Sequence, residues 1–384
     1  MLSSLRKKIA HRIVWGMNMK QGESLILRGG VHEQDLLEEI AIMAMQQNND
    51  VSMGMSSDTF SKRLYAEIPT SYIRKTSKLS LKLMEAANNY VSLEKLKDPR
   101  VAEKFPPKKL SAAHESYEPL QKKIEKYRIK TCLVGYPTKE MAAKLNIKFS
   151  LLEKFIFNGM LIRHKDLMKK ANFLYSNIIN AEYTHVYDEY GTDLTLRVKG
   201  RLPLVDDGYI SNVDIKNKDL HSNLPCGEMF MSPLETYGSG VLICPKRTDV
   251  FTGKMIENAK LVFENGRLNL NKSTAEKNEN AMKTTIKNCM AVDKRLYKVL
   301  RTTNIAELGI GMNPVIDTII GYLLTDEKIG GTIHVAIGDN YRFPGGKSHS
   351  CLHWDFITNK GINLEVILPN KKSKMLIESG KCCF

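Results

Sequence analysis

The sequence predicts an α/β protein of two domains, an N-terminal open α/β, Rossmann-like domain over residues 1–180 and a C-terminal α+β domain with mixed and antiparallel strands over residues 181–384. Three observations predict it. At roughly 150 residues per domain, 384 residues exceed one small module. The first 180 residues alternate short apolar runs with longer amphipathic ones, the pattern of strands and helices in an open sheet. From about Ala181 the texture changes to alternating, hairpin-like segments punctuated by glycine, which places the boundary near residues 175–185.

In the first part, Ser24 to Arg28 reads as a strand, Glu33 to Gln47 as a helix and Val51 to Met55 as the next strand. Further strands are expected at Tyr90 to Leu93 and Thr131 to Gly135. Gly29-Gly30 sits between strand and helix but lacks the third glycine of a dinucleotide-binding loop, so it reads as a tight turn. His32-Glu33 opens no zinc-binding H-E-x-x-H, because position 36 is Leu36, and reads as a surface or cap pair. In the second part, Tyr187 to Val198 turns near Gly191, and Asn265-Gly266 marks a two-residue hairpin within Ala259 to Leu270. Ser273 and Glu276 have capping-box spacing ahead of a long helix expected to reach about Leu300.

Composition excludes several classes. The 42% hydrophobic and 26% charged residues describe a folded globular chain of mean hydropathy −0.29. No run approaches the ~20 apolar residues of a bilayer span, and the first twenty residues carry Arg6, Lys7, Lys8, His11 and Arg12, so neither signal peptide, transmembrane helix nor membrane partner is expected. Seven cysteines without C-x-x-C spacing are no disulfide framework and predict a reducing, cytoplasmic setting. The net charge of +15 is spread along the chain as a solvated lysine-rich surface, so no nucleic-acid partner is expected.

The last third places polar residues in apolar, glycine-flanked contexts, where a buried site is expected. Glu228 precedes the run Met229-Phe230-Met231, Glu307 stands between Ala306 and Leu308, and His334 is the one imidazole of an apolar strand from Thr332 to Ile337. In a strand from Leu352 to Ile357, His353 and Asp355 share one face while Leu352, Trp354 and Phe356 take the other. Taken alone, a glutamate after glycine is usually solvent-exposed and a single histidine is usually a satisfied core residue; the His353/Asp355 pair is the strongest local signal. Tyr341 and Lys347 are loop candidates, whereas Cys226 and Cys351 are expected to ligate nothing and His349 to be loop surface. Imidazoles and carboxylates suit borderline divalent metals. Three buried carboxylates, Glu228, Glu307 and Asp355, would raise one another's pKa, and two divalent ions offset their charge if one carboxylate bridges the pair.

These residues lie in motifs whose order resembles the aminopeptidase T family of dinuclear metallopeptidases, the thermophilic leucyl aminopeptidases. The motifs are N-L-P-C-G-E-M-F-M-S-P from Asn223, A-E-L-G-I-G-M-N-P from Ala306, I-G-G-T-I-H-V-A-I-G from Ile329, Y-R-F-P-G-G-K from Tyr341 and L-H-W-D from Leu352. Gly22-Glu23, Tyr136-Pro137-Thr138 and Asp206-Asp207-Gly208 extend the likeness upstream over nearly the whole chain. The resemblance implies metal ligands at Glu228, Glu307, His334, His353 and Asp355, an active-site tyrosine at Tyr341, and Glu307 as the bridge. It further implies two divalent ions (Zn, Co or Mn) with no organic cofactor, short peptides cut at their N-terminal residue, and a homodimer that encloses its active sites.

A competing reading takes His334, His353 and Asp355 alone as the two-histidine, one-carboxylate set of a mononuclear Fe(II) dioxygenase, 2,5-dihydroxypyridine dioxygenase having a fold that resembles this family's. Retention of both Glu228 and Glu307 favours the two-metal hydrolase. A third, a basic binding protein without catalysis, predicts salt-sensitive polyanion binding and leaves the ligand set unexplained.

Overall fold

A computed structural model of the chain describes residues 3–249 and 251–384, which divide into two compact units, one of Met1–Leu161 with Gly208–Cys226 and one of Ile162–Asp207 with Gly227–Phe384. The sequence places a single boundary near 180, but the chain crosses between the units three times. Helix His164–Ile178 belongs to the second unit because its apolar stripe, Leu167, Ala171, Leu174 and Ile178, is buried there. Leu167 packs against Gly227, and Lys170 donates to the Met312 carbonyl at 3.2 Å.

The first unit is an open parallel sheet in the spatial order Asp50–Ser56, Ser24–Gly30, Asn89–Leu93, Lys130–Val134, His221–Leu224. The four strands read from the sequence are present, shifted by a residue or two. Parallel neighbours need long crossovers, which helices supply. Helix Gln34–Gln46 buries Leu36, Leu37, Ile40, Ala41 and Ala44, a stripe with helical spacing, while Leu25, Leu27, Val91 and Val134 fill the sheet's core.

Gly29 and Gly30 end a strand and make no turn. Glycine is required by close approach: a Cβ at Gly30 would meet the His32 ring at 2.2 Å, and one at Gly29 would meet Glu33 Oε2 at 2.5 Å. Of the surface or cap placement expected for Glu33, the structure takes the cap. Glu33 is fully buried, where its Oε2 caps the strand end by accepting from Gly30 N at 2.6 Å.

The second unit holds two sheets. A nine-stranded sheet contains the hairpin Tyr183–Tyr187/Asp193–Arg197 and the pair Met255–Glu264/Arg267–Leu268. The latter turns at Asn265 (φ +49°) and Gly266 (φ +74°), the left-handed pair that an Asn-Gly hairpin requires. The other sheet has five strands, all antiparallel to their neighbours, in the order His353–Ile357, Ile333–Gly338, Ile305–Gly311, Glu228–Met231, Leu204–Asp206. The capping box expected at Ser273 does not form, because Thr274–Lys277 is a strand. Ser273 Oγ instead accepts from Val262 N and donates to the Asn269 carbonyl, and the helix runs from Glu279 to Leu296, short of Leu300.

Burial pushes the Glu33 carboxyl up from 4.5 to about 9, so it folds neutral and ionises on unfolding. The stability of the neutral form is complete below 4.5 and is lost as pH rises through about 9. Glu33→Gln should therefore melt like wild type near pH 4 and at a higher temperature at pH 8, in melting curves taken across that window. Parallel pH profiles would show that Glu33 ionises normally in the fold.

Candidate metal centre

The five-stranded sheet has two unlike faces, fixed by strand alternation and register. Glu307 pairs with Ala336 and Ala336 with Asp355; Gly309 pairs with His334, Gly338 with His353, Gly311 with Glu228, and Glu228 with Asp206. Directly paired residues share a face, so Asp206, Glu228, Glu307, His334, His353 and Asp355 all project from one side, interleaved with Gly309, Gly311, Ala336 and Gly338. Small residues leave the volume that long polar side chains need. Met229, Met231, Leu308, Ile310, Val335, Ile337, Trp354 and Phe356 form the other, fully buried face. A register shift between Ile305 and Glu307 marks a bulge beside Glu307, a device that re-aims a side chain.

The five expected ligands converge into two donor groups. Glu228, Glu307 and His334 offer atoms within 4.8 Å of one another, and so do Glu307, His353 and Asp355. Glu307 belongs to both, presenting Oε1 to His334 Nε2 at 3.2 Å and Oε2 to His353 Nε2 at 3.1 Å. His334 Nε2 also lies 3.4 Å from Glu228 Oε2, and His353 Nε2 lies 3.4 Å from Asp355 Oδ1. His353 Nδ1 meets the Asp339 carbonyl at 2.7 Å; a carbonyl only accepts, so Nδ1 carries the proton and Nε2 faces the carboxylates. All these side chains are buried except His353, which is 34% exposed.

Burial alone would push every group toward its neutral form, yet charge pairing overrides it for most. Burial raises Glu307, but hydrogen bonds from His334 and His353 outweigh it and hold the carboxyl below its ordinary value. Asp355 is held well below by His353 despite burial. His334, opposed by burial, is raised to about 9 by Glu307 and Glu228. Glu228 is pushed up to about 8 by burial, against the pull of Lys328. Protonated imidazoles thus balance the acids here, and a divalent cation is the natural replacement for those protons. The donor chemistry fits such an ion: only carboxylate oxygens and imidazole nitrogens, with Glu228 Oε2 buried and making no hydrogen bond.

Tyr341 is not drawn into this cluster. It is 54% exposed on the segment after strand Ile333–Gly338, its ring stacked on His349 at 3.5 Å. That segment adjoins the centre through Phe343, which packs edge-on against His353 at 5.7 Å. His349, expected as free loop surface, is instead flanked by Tyr341 and Tyr297. Lys347 is exposed, and its backbone N–H donates to Glu235. Cys226 lies beside Arg12 in the first unit, and Cys351 Sγ donates to the Cys289 carbonyl. Sequence reasoning missed three groups that the fold adds. The fully buried Lys328 ammonium bonds Glu228 Oε1 and Glu327 Oε1, the latter at 2.9 Å, and lies 3.4 Å from Asp206 Oδ2. Its only trace in the sequence is the D-E-K run just before the His334 motif.

Residues 5–382 match the family model described as Thermophilic metalloprotease (M29). The chain belongs to this metalloprotease family. Membership implies a divalent metal, in keeping with the donor set. A curated relative, aminopeptidase AmpS of Bacillus subtilis, is 26% identical over 215 residues, covering 52% of this chain and 48% of that protein, so the match spans about half of the relative's length. Among solved structures, wild-type AmpT from Thermus thermophilus aligns with a TM-score of 0.76 at 18% identity over 99% of both chains. The structure of 2,5-dihydroxypyridine dioxygenase from Pseudomonas putida aligns with a TM-score of 0.61 at 13% identity over 98% of this chain and 96% of that one. Both likenesses establish a shared fold. The family assignment and the AmpT-like α/β architecture agree with the expectations drawn from the sequence.

Gly309 is a tight constraint on the candidate centre, because a Cβ there would meet His334 Nε2 at 1.9 Å. Gly309→Ala should displace the imidazole and weaken divalent-metal binding by about 10-fold or more, with the metal-free chain still folded, as read by metal titration beside a melting curve. Wild-type affinity in that variant would show that His334 holds no metal.

Proposed function

We propose that this chain is a metallo-aminopeptidase that hydrolyses the N-terminal residue from short peptides, using two divalent ions, Zn, Co or Mn, held by Glu228, Glu307, His334, His353 and Asp355. The observation that carries the reading is the sharing of Glu307 between two donor groups, one oxygen to each, as a bridging carboxylate requires. Two-metal hydrolytic sites hold their ions ~3.5–4 Å apart, a separation one carboxylate spans. When bound, such ions polarise the scissile carbonyl and lower the pKa of water, supplying hydroxide at neutral pH.

The protein's own groups do the rest. Glu228 with His334 forms one end of the centre and Asp355 with His353 the other, while the Asp339 carbonyl locks the His353 tautomer. Tyr341, on the segment packed against His353, is the hydrogen-bond donor to the developing oxyanion in this reading. The distribution of the histidines speaks against the iron dioxygenase alternative: His334 and His353 fall in different donor groups, each with one carboxylate of its own beside the shared Glu307. The reading also takes in a homodimer that limits access to short peptides, and a cytoplasmic setting in keeping with seven cysteines in the chain. Among the described residues no helix is long and apolar enough to cross a membrane.

Elemental analysis of the purified chain, paired with amino-acid release from a peptide panel before and after chelation, tests the proposal. Two Zn, Co or Mn per chain with chelator-sensitive release of N-terminal residues is expected; one iron per chain with oxygen consumption on a hydroxypyridine would overturn it. Glu307→Gln should abolish release and lose bound metal. Tyr341→Phe should keep its metal and lose about 10²-fold in kcat, the cost of one oxyanion donor, and full activity would remove Tyr341 from the mechanism.

A further inference from the structure

Lys328 carries three ammonium hydrogens into a site with no exposure to solvent, and three carboxylates surround it: Glu228 and Glu327 in direct contact and Asp206 in ion-pair range. A lysine is almost never so buried unless paired. The backbone around it is pinned, since Lys328 N donates to the Thr325 carbonyl at 3.0 Å and its own carbonyl accepts from Asn313 N at 2.8 Å. The two oxygens of Glu228 therefore differ. Oε1 is taken by the ammonium, whereas Oε2 is buried, makes no hydrogen bond and points toward His334 Nε2 at 3.4 Å.

Charge follows the same division. Asp206, Glu228, Glu307, Glu327 and Asp355 bring five negative charges to one sheet face and its margin, and Lys328 with two divalent ions would bring five positive ones. Without Lys328 the acids of the Glu228 end would face an excess of negative charge that the ions alone leave uncompensated. Among the described residues the ammonium's ion-pair partners are Glu228, Glu327 and Asp206, and the Glu307/His353/Asp355 group has a partner of its own, the Asp339 carbonyl behind His353.

We infer that Lys328 is a positioning residue for one half of the metal centre: by holding Oε1 of Glu228 it leaves Oε2 as that residue's single ligand atom, and it tunes the Glu228/Glu307/His334 site without tuning the other. This rests on the two-metal reading above. Lys328 touches neither substrate nor metal and acts through Glu228. The consequence is a pair of sites made unequal by the protein, one of them answerable to a buried ammonium.

The test is titration of the full, chelator-stripped chain with Co²⁺, read by absorption, and with Zn²⁺, read by calorimetry. Wild type should show two binding steps; Glu228→Gln should lose one and Asp355→Asn the other, which assigns them. Lys328→Met should weaken the Glu228 step by about 10–100-fold, the usual cost of losing an outer partner, and leave the Asp355 step unchanged. Lys328→Arg, which keeps the charge but replaces a point donor with a planar fork, should recover part of that loss while altering the Co²⁺ spectrum of the Glu228 step alone. Equal weakening of both steps, or no change in either, overturns the inference. If Lys328→Met does not fold, as judged by circular dichroism, Lys328→Arg decides, and unchanged spectra at both steps overturn it. Wild type taking up no metal would instead refute the two-metal reading itself.

Discussion

Taking an ionised carboxylate out of water costs several kcal/mol even after the protein relaxes around it, and the sheet at the heart of the second unit buries a group of them together. Glu228, Glu307 and Asp355 stand on one face within reach of two imidazoles, with Asp206 and Glu327 at the margin. Such a group persists only if cations are supplied nearly as densely as the acids. One is built in, as Lys328; the imidazoles supply charge by holding protons, and a metal ion supplies it by replacing them. The need for compensation connects the fold, the donor set and the family's metal chemistry.

The antiparallel sheet meets that need because its two faces can be written independently. A strand that alternates acid or imidazole with leucine, isoleucine or tryptophan places all the charge on one side and all the packing on the other. On the charged side Gly309, Gly311, Ala336 and Gly338 stand among the ligands and leave them room, while Phe230 and Ile357 share that face opposite Gly309 and His334. The packed side fixes the register, since a slip of one residue would turn the acids into the apolar core and Trp354 and Phe356 onto the donor face. Precision in ligand placement therefore comes from the hydrophobic face.

Much of this was legible in the sequence. The alternation in A-E-L-G-I-G, I-H-V-A-I-G and L-H-W-D identifies both the strands and the side each residue takes, and the parallel strands of the first unit stand out as short apolar runs. Pairing was not legible, because no local feature of Glu228 or Asp206 says which strand lies beside it. Lys328 escaped notice because lysine reads as surface until the fold encloses it. Ser273 failed for a related reason: its spacing to Glu276 suits a helix cap, but the edge of strand Met255–Glu264 offered the same backbone a longer set of hydrogen bonds. Gly29-Gly30 was assigned to a turn when the demand came from His32 and Glu33 side chains crossing over the backbone.

The parallel sheet of the first unit takes its fifth strand, His221–Leu224, only after the chain has left to build Ile162–Asp207 of the other unit and come back. Until then Lys130–Val134 is an edge, its outward amides and carbonyls open to any strand that arrives first. On a ribosome the opening segment therefore waits, nearly complete and adhesive along one side, while a stretch of its neighbour is synthesised. A nascent chain of this design is exposed to mispairing for that interval, and cutting it after Leu161 would yield a fragment with a permanently unfinished rim.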